Sequence, residues 1–194
     1  MSRVIVPRSD VSPAEYLEWE RAQPGRHQLL RGAVYAMAGE SPRHNLLGAR
    51  LLEQLGAALR GSPCRPFSSD QRIHNPATGD YVYADAIVIC GPVHLHGDTR
   101  DVIDNPSVVV EVLSNSTEQH DRGDKWEGYR GLASLTDYLL VSQRLARLEH
   151  FAREEDGSWR YRVVGAGGRL VLATRAEFMV DGLYDGVFDV PGDD

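Results

Sequence analysis

Apolar and polar residues follow one another in patterns that predict an alternation of helices and strands. Ser12, Pro13 and Glu15 form an N-terminal capping pattern, which predicts a helix that runs to about Ala22. Residues 27–37 contain two short apolar runs about an Arg-Gly turn, which indicates a pair of strands.

A serine–proline pair then opens a stripe of leucines at helical spacing, which predicts an amphipathic helix over residues 41–60. Residues 64–74 are expected to form a strand. Residues 81–90 predict a second strand, and Asp85 is the only charged residue within its apolar part. Because both faces of that strand are apolar, we expect it to be central in a sheet.

The next strand begins after Pro106 and is also apolar on both faces, with Glu111 as its one acid. A helix is expected over residues 118–132, capped by Thr117 or Ser116. On that helix three polar residues share one face at intervals of four, namely Asp121, Lys125 and Tyr129. Further strands are predicted over residues 136–142, 145–153 and 158–164, and residues 165–168 form a glycine-rich loop that lacks the following helix of a phosphate cradle.

Length and composition favour one globular domain over residues 1–194 with short flexible termini, since 194 residues can bury a substantial core. The elements predict an α/β (α+β) fold with a mixed sheet flanked by helices. No apolar run is long enough to span a bilayer, so we expect a cytoplasmic protein that does not bind membranes. In that compartment Cys64 and Cys90 are expected to remain reduced thiols.

The formal net charge of −7 argues against a protein that coats a polyanion by bulk electrostatics. It does not argue against a nuclease, because metal-binding carboxylates add negative charge that bound cations offset.

Asp85 and Glu111 are isolated acids on strands expected to be buried, and such acids need an ionic partner or a metal. If the two strands are neighbours, both carboxylates can bind one Mg²⁺ or Mn²⁺ ion, and Lys125 can lie close to the attacking water. The alternative is that each acid pairs with an arginine or a lysine.

Other candidates carry less chemistry. His44, near a helix start, either contacts phosphate or packs locally. His94 and His96 lack a third metal ligand at a suitable spacing and are expected to be solvent-exposed. Ser114 and Ser116 are interpreted as turn and cap residues rather than nucleophiles.

Nearly the whole chain resembles the Uma2 (DUF820) family of the PD-(D/E)XK nuclease superfamily, whose members have a restriction endonuclease-like core. The most specific part is the strand that ends Glu111-Val112-Leu113-Ser114, followed by Asp121, Lys125 and Tyr129. In the N-terminal half, Gly32, Met37 and His44 match the family pattern.

The resemblance implies that Asp85 and Glu111 are the acids of the motif and that the carbonyl of Val112 is a third metal ligand. The lysine of the motif would fall at Leu113, where it is absent, and Lys125 on the following helix is the matching position. Gln28 stands where the family usually has a glutamate. Gln28, His44, Asp121 and Tyr129 are therefore candidate substrate or supporting residues.

Smaller departures are Ala84 in place of the proline before Asp85, and Leu139 in place of an aromatic residue. The expected activity is metal-dependent endonucleolytic hydrolysis of nucleic acid, with DNA as the expected substrate. Two alternatives stay open: a catalytically weak or inactive module that binds nucleic acid or protein, and a metal-dependent hydrolase of a smaller phosphate ester. Homodimerisation is expected, because one site per chain must cut two strands.

Overall fold

The strands assemble into two larger sheets and one hairpin in a computed structural model that describes residues 10–37 and 39–193. A six-stranded sheet has the order β11-β10-β9-β8-β6-β3, and a five-stranded sheet has the order β2-β1-β5-β4-β7. The strands are β1 (His27–Leu30), β2 (Ala33–Ala36), β3 (Cys64–Ser68), β4 (Arg72–Asn75), β5 (Asp80–Tyr83), β6 (Ala86–Cys90), β7 (Val102–Ile103), β8 (Val108–Leu113), β9 (Asp137–Ser142), β10 (Arg147–Arg153), β11 (Trp159–Gly165), β12 (Arg169–Val171) and β13 (Glu177–Met179).

The helices flank these sheets: α1 (Pro13–Arg21), α2 (Pro42–Ala58), α3 (Glu118–His120), α4 (Trp126–Tyr129) and α5 (Val180–Tyr184). Both larger sheets are mixed, since β8 and β9 pair in parallel in one and β4 and β7 in the other. The structure is thus the mixed α+β fold predicted from the sequence. The expected flexibility of the termini concerns residues 1–9 and 194, which lie outside the described residues.

The helix start at Ser12 is confirmed in detail. Its hydroxyl accepts from the Glu15 amide, and the Glu15 carboxylate accepts from the Ser12 amide at 3.0 Å. Both bonds satisfy backbone donors that a helix N-terminus otherwise leaves unpaired.

Two strand predictions were wrong in the same way. The strand expected over residues 64–74 is two strands, β3 and β4, which lie in different sheets. The strand expected over residues 81–90 divides between Tyr83 and Ala86, so that β5 and β6 also lie in different sheets. Asp85 therefore lies in the break between strands, and it does not share one strand face with Tyr81 and Ile87.

The helix expected over residues 118–132 ends at Tyr129 and contains a π-helical turn from Asp121 to Lys125 between α3 and α4. Thr117 is at the N-cap, but its side chain makes no capping hydrogen bond. Single π turns within helices occur often at functional sites.

Strand β8 lies at the centre of the core, as its two apolar faces predicted. Val108, Val110 and Val112 pack in a cluster with the leucines of α2. Val109 and Leu113, on the opposite face, pack in a second cluster with residues of α4 and β9. Glu111 lies on this second face, where it is 3% exposed.

The expectation of reduced thiols was wrong. Cys64 and Cys90 are paired across β3 and β6 in the strand register and form a disulfide that closes a sequence separation of 26 residues. Nothing in the spacing of the two cysteines indicated that the strands would bring them face to face. Among the described residues, no helix has the length and apolar character needed to cross a membrane.

Candidate active site

The break between β5 and β6 brings Asp85 against strand β8. In the antiparallel register of β6 and β8, Ala86 lies opposite Val110, so Asp85 comes next to Glu111. The Asp85 amide donates to the Val110 carbonyl at 3.1 Å, and the Val112 amide donates to Asp85 Oδ2 at 2.6 Å. The Asp85 carboxylate thus extends the hydrogen bonding between β6 and β8 by one step. This fixes the carboxylate next to the Ala86–Val110 pair, where the strand pairing ends.

Glu111 is held by two side chains of the following helical segment. Lys125 Nζ donates to Glu111 Oε1 at 2.8 Å, and Tyr129 Oη donates to the same oxygen at 2.9 Å. Lys125 Nζ also lies 3.1 Å from the Tyr83 carbonyl oxygen and 3.2 Å from Asp121 Oδ1. The shared helix face predicted for Asp121, Lys125 and Tyr129 therefore turns toward Glu111.

Close packing at Gly128 holds this helical segment in place. A Cβ atom at Gly128 would lie 2.0 Å from the side-chain amide nitrogen, Nδ2, of Asn75 on β4. Asn75 is buried, so a larger side chain at Gly128 would push α4 away from the sheet. Lys125 and Tyr129, on either side of Gly128, would move with it.

His44 of α2 contacts both the Val112 carbonyl and the Asp85 carboxylate. Its Nε2 donates to the Val112 carbonyl at 3.0 Å and lies 3.3 Å from Asp85 Oδ2. Burial alone would lower the pKa of His44, but the hydrogen bond and the charge of Asp85 outweigh burial and raise it to about 9. In return, although burial would raise the pKa of Asp85, His44 and the Val112 amide hold it below its usual value.

The pKa values of Glu111 and Glu40 are shifted in the opposite direction to that of Asp85. Burial raises the pKa of Glu111 to about 8; the Lys125 ammonium works against this shift, while Asp121 and Asp85 add to it. Burial also raises the pKa of Glu40, which His44 lowers and Asp85 raises. Four carboxyl groups in this region face two cationic side chains, and the raised pKa values of Glu111 and Glu40 indicate that the pocket favours the binding of protons or cations to its carboxyl groups.

A small cavity of about 40 Å³ opens between these groups, enough for an ion-sized or water-sized occupant. Residues from six elements and the loops between them line it, among them Gln28, Glu40, His44, Tyr83, Asp85, Glu111 and Lys125. The side-chain oxygen of Gln28 is buried and has no hydrogen-bond partner among the described residues. A buried acceptor of this kind needs a ligand or water to satisfy it.

Sequence reasoning missed Glu40 and the Tyr83 carbonyl. Glu40 lies in the loop before α2, outside any periodic pattern, and only its position four residues before His44 connects it to the site. The Tyr83 carbonyl became available because β5 ends there, and that ending was not predicted.

The oxygen donors suit a hard divalent cation. Mg²⁺ in proteins is usually bound by one or two carboxylates, with water and substrate phosphate completing six ligands. Asp85, Glu111 and the Val112 carbonyl match that requirement in kind, and the unpartnered Gln28 oxygen adds an acceptor. Within residues 10–37 and 39–193, no three histidine, cysteine or acidic side chains converge closely enough to hold an ion by themselves.

Of the remaining sequence candidates, Ser116 lines the cavity, and His94 and His96 are not among its lining residues. His94 is exposed, whereas His96 is partly buried and stacks on His74 with ring centroids 3.6 Å apart. The Ser114 hydroxyl bonds to the hydroxyls of Ser116 and Thr117 in the turn after β8, which fits a turn role.

The fold matches that of a solved structure. A crystal structure described as a putative nuclease belonging to DUF820 from Anabaena variabilis ATCC 29413 superimposes with a TM-score of 0.73, covering 91% of this chain and 99% of that one at 10% sequence identity. At that identity the likeness shows a common fold. The profile of the family Uma2, described as "Putative restriction endonuclease", matches residues 13–177, and the chain belongs to this family.

Two relatives from Synechocystis sp. (strain ATCC 27184 / PCC 6803 / Kazusa) resemble the chain over most of its length. The uncharacterized protein slr1290 is 36% identical over 182 residues, which cover 93% of this chain and 95% of the relative. The uncharacterized protein sll1609 is 30% identical over 156 residues, with 80% and 88% coverage.

Proposed function

We propose that this protein is a metal-dependent endonuclease that hydrolyses phosphodiester bonds of nucleic acid, with DNA as its preferred substrate. The observation that carries the proposal is the contact of 2.8 Å between Lys125 Nζ and Glu111 Oε1 beside Asp85. Through this contact Lys125 provides a lysine next to the acidic pair of the family motif. The motif position on β8, where the lysine would usually stand, is Leu113 in this chain. Family membership supports the nuclease class.

Asp85, Glu111 and the Val112 carbonyl are the groups that would hold Mg²⁺ or Mn²⁺. The bound ion would lower the pKa of an attacking water and neutralise charge on the phosphate. His44 Nε2 already donates to the Val112 carbonyl and lies beside Asp85, so it orients both groups. The excess of carboxyl groups over cationic side chains around the cavity favours a cation there, and so does the Gln28 oxygen, which has no hydrogen-bond partner among the described residues.

Lys125 suits electrostatic stabilisation better than proton abstraction. Its ammonium faces three oxygen acceptors, on Glu111, Tyr83 and Asp121, at 2.8, 3.1 and 3.2 Å. Such partners favour the charged form of the side chain. When water attacks phosphorus and the bond to the leaving sugar oxygen breaks, negative charge develops on the phosphoryl oxygens, and a fixed ammonium stabilises it.

One site per chain cuts one strand at a time, so cleavage of both strands of a duplex would require a two-fold pair of chains or two binding events. We propose the pair as the form that acts on duplex DNA.

A cleavage assay with metal and substrate panels tests the proposal. Labelled linear duplex, supercoiled plasmid, single-stranded DNA, RNA and nucleoside monophosphates are incubated with Mg²⁺, Mn²⁺ or chelator. The wild type is compared with Glu111→Gln, which keeps the volume and a polar contact for Lys125 but removes the charge. We expect metal-dependent cleavage of DNA by the wild type and a loss of at least about a hundredfold in Glu111→Gln.

Equal rates for the two proteins, or equal rates with chelator, would overturn the assignment of the site. Hydrolysis of monophosphates alone would indicate a hydrolase of small phosphate esters. Binding of DNA without cleavage under any metal would indicate a module that binds without catalysis.

A further inference from the structure

Aromatic side chains form a continuous surface on one face of strands β9, β10 and β11. It lies beside the helical segment of residues 118–129, which carries Lys125. The Trp126 ring lies 4.6 Å from Phe151 and 4.9 Å from Trp159, and Phe151 lies 4.9 Å from Tyr161. Tyr138 stacks below Trp126 at 5.2 Å. In the strand register Phe151 lies opposite both Tyr161 and Tyr138, which places their side chains on the same face.

Much of this surface is accessible although it is apolar. Tyr161 is 50% exposed, and Val163 on the same strand is 47% exposed. Between the rings is an open cleft of about 380 Å³, with Tyr138 and Leu140 at its base. A volume of this size lies in the range of small-molecule sites. It suits a planar ring with an attached sugar.

Glu149 forms the polar wall of the cleft, and all of its acceptor positions are occupied. Oε1 accepts from Arg122 at 2.7 Å and from Arg147 at 3.0 Å, and Oε2 accepts from Arg122 at 2.7 Å and from Tyr161 at 2.9 Å. This carboxylate has little capacity left for reading the edge of a base. The cleft therefore offers ring faces without a hydrogen-bonding pattern.

Cationic side chains surround the rings, although the chain as a whole carries a net charge of −7. The Arg153 guanidinium lies 4.7 Å from the centre of the Trp159 ring, and Arg122 and Arg147 flank Glu149. The acids next to these three arginines are Glu149 and Glu118. A surface of stacked rings with arginines at its border is the combination that binds single-stranded nucleic acid.

We propose that the aromatic cleft binds an unpaired nucleobase of the nucleic-acid substrate by stacking, with little preference among bases. This inference rests on the proposed function, because it takes the substrate to be a nucleic acid. Bases within a duplex have no free face, so the cleft selects single-stranded or locally opened substrate. The saturated Glu149 carboxylate is the reason for the weak base preference.

The position of the cleft relative to the candidate active site supports the proposal. Arg122 and Trp126 line the cleft, and they alternate along one helical segment with Asp121 and Lys125, which face Glu111. Arg122 and Glu149 also line a neighbouring groove that reaches Leu113 and Ser114, just beyond Glu111 on β8. A strand that follows the groove can thus place one base in the cleft while its neighbouring nucleotides extend toward the turn after β8.

Tryptophan fluorescence tests base stacking directly. The chain has three tryptophans, and in a Trp19→Phe background only Trp126 and Trp159 remain, both at the aromatic surface. With Glu111→Gln added to block cleavage, the protein is titrated with oligothymidylate, oligoadenylate and a duplex of equal length. Quenching and fluorescence anisotropy are recorded together.

Tyr161→Leu removes an exposed ring and Tyr161→Phe is the matched control, which keeps the ring and loses the bond to Glu149. We expect both single strands to quench the emission, Tyr161→Leu to bind them roughly tenfold more weakly, and Tyr161→Phe to bind near the parent value. Thermal unfolding verifies that each variant is folded, and Phe151→Leu provides a second test of the same surface.

Unquenched binding, with Tyr161→Leu and Phe151→Leu as tight as the parent, would overturn the proposal. So would a dimer that Tyr161→Leu converts to monomers with unchanged affinity, since a second copy would then cover the face. If quenching depends on Tyr161 but the protein that retains Glu111 shows no metal-dependent cleavage, the proposed function is refuted. The proposal that the cleft binds a nucleobase then still holds. Cleavage without quenching would refute only the cleft.

Discussion

Lys125 Nζ lies 2.8 Å from Glu111 Oε1, although the two residues are fourteen positions apart and belong to a helical segment and a central strand. The π-helical turn that ends at Lys125 directs this side chain onto β8, where it is 5% exposed. Leu113, two residues after Glu111, lies on the same face of the strand and packs in the core. The helix therefore supplies the ammonium that the strand position lacks.

A lysine exchange tests this interpretation. Lys125→Met removes the ammonium and should reduce cleavage at least about a hundredfold, because the developing charge and Glu111 both lose their cationic partner. Adding Leu113→Lys to that variant returns a lysine to the same strand face and should recover part of the activity. Cleavage rates of the wild type, both single variants and the double variant decide the point.

The control is the single variant Leu113→Lys, in which a gain in cleavage rate is not expected. Leu113→Lys alone buries a second cation beside Lys125 and is expected to lower stability. A double variant as inactive as Lys125→Met, while folded by circular dichroism, would argue that Lys125 acts through more than its charge.

Asp85 and Asp80 provide a comparison of two carboxylates close in sequence. Asp85→Asn retains an acceptor for the Val112 amide but loses the charge, so we expect cleavage to fall at least about a hundredfold with the fold intact. Asp80→Asn is the control, since Asp80 is 3% exposed and bonds only to the Arg31 amide and the Thr78 hydroxyl in the contacts described. A similar loss in both variants would indicate a general effect of carboxylate removal.

The Asp137–His150 pair should contribute to stability and not to cleavage. Arg162 Nε donates to His150 Nδ1 at 3.0 Å, so the ring proton is on Nε2, which donates to Asp137 Oδ1 at 2.7 Å. His150→Leu leaves a fully buried carboxylate without this donor and should lower the free energy of unfolding by about 3 kcal/mol. Urea unfolding measures the loss, and His150→Gln, which keeps a donor, should lose less.

Cleavage per folded molecule is expected to be unchanged in both variants, because Asp137 lies opposite Val108 at the start of β8, three positions before Glu111. A loss below about 1 kcal/mol in His150→Leu would contradict the role assigned to the pair.

His74 makes the fold sensitive to acid. Burial and the adjacent His96 lower the pKa of His74 from 6.5 to about 4. Between these values the unfolded chain binds a proton that the folded chain does not, so stability should fall as the pH is lowered from about 6.5 to about 4. His74→Phe keeps the ring and should flatten this part of the profile.

Thermal unfolding at a series of pH values gives both profiles, and His94→Gln, at an exposed position, serves as the control. The assignment would be wrong if His74→Phe lost stability over this interval as steeply as the wild type.

Local signals in the sequence predicted much of the fold and of the site. The capping pattern at Ser12 and the spacing of Asp121, Lys125 and Tyr129 depend on contacts between residues close in sequence, and both were confirmed. The position of Glu111 on a buried strand followed from its apolar neighbours. These features are determined by periodicity, which a single sequence displays.

Features determined by contacts distant in sequence were not predicted. The break at Asp85 has no glycine or proline and the residues on both sides are buried, so no local signal marks it; at the break, the Asp85 carboxylate bonds to the distant Val112 amide. Glu40 joins the cavity only through the path of its loop. The Cys64–Cys90 disulfide depends on the pairing of β3 with β6, which the spacing of the cysteines does not reveal.

Anomalous diffraction from crystals soaked in Mn²⁺ is the most direct test of the central claim, that Asp85 and Glu111 hold the catalytic metal. We predict an anomalous peak in contact with both carboxylates and the Val112 carbonyl, absent from crystals of Glu111→Gln soaked in the same way. Saturating Mn²⁺ that gives no peak between Asp85 and Glu111, or the same peak in Glu111→Gln, would contradict the account.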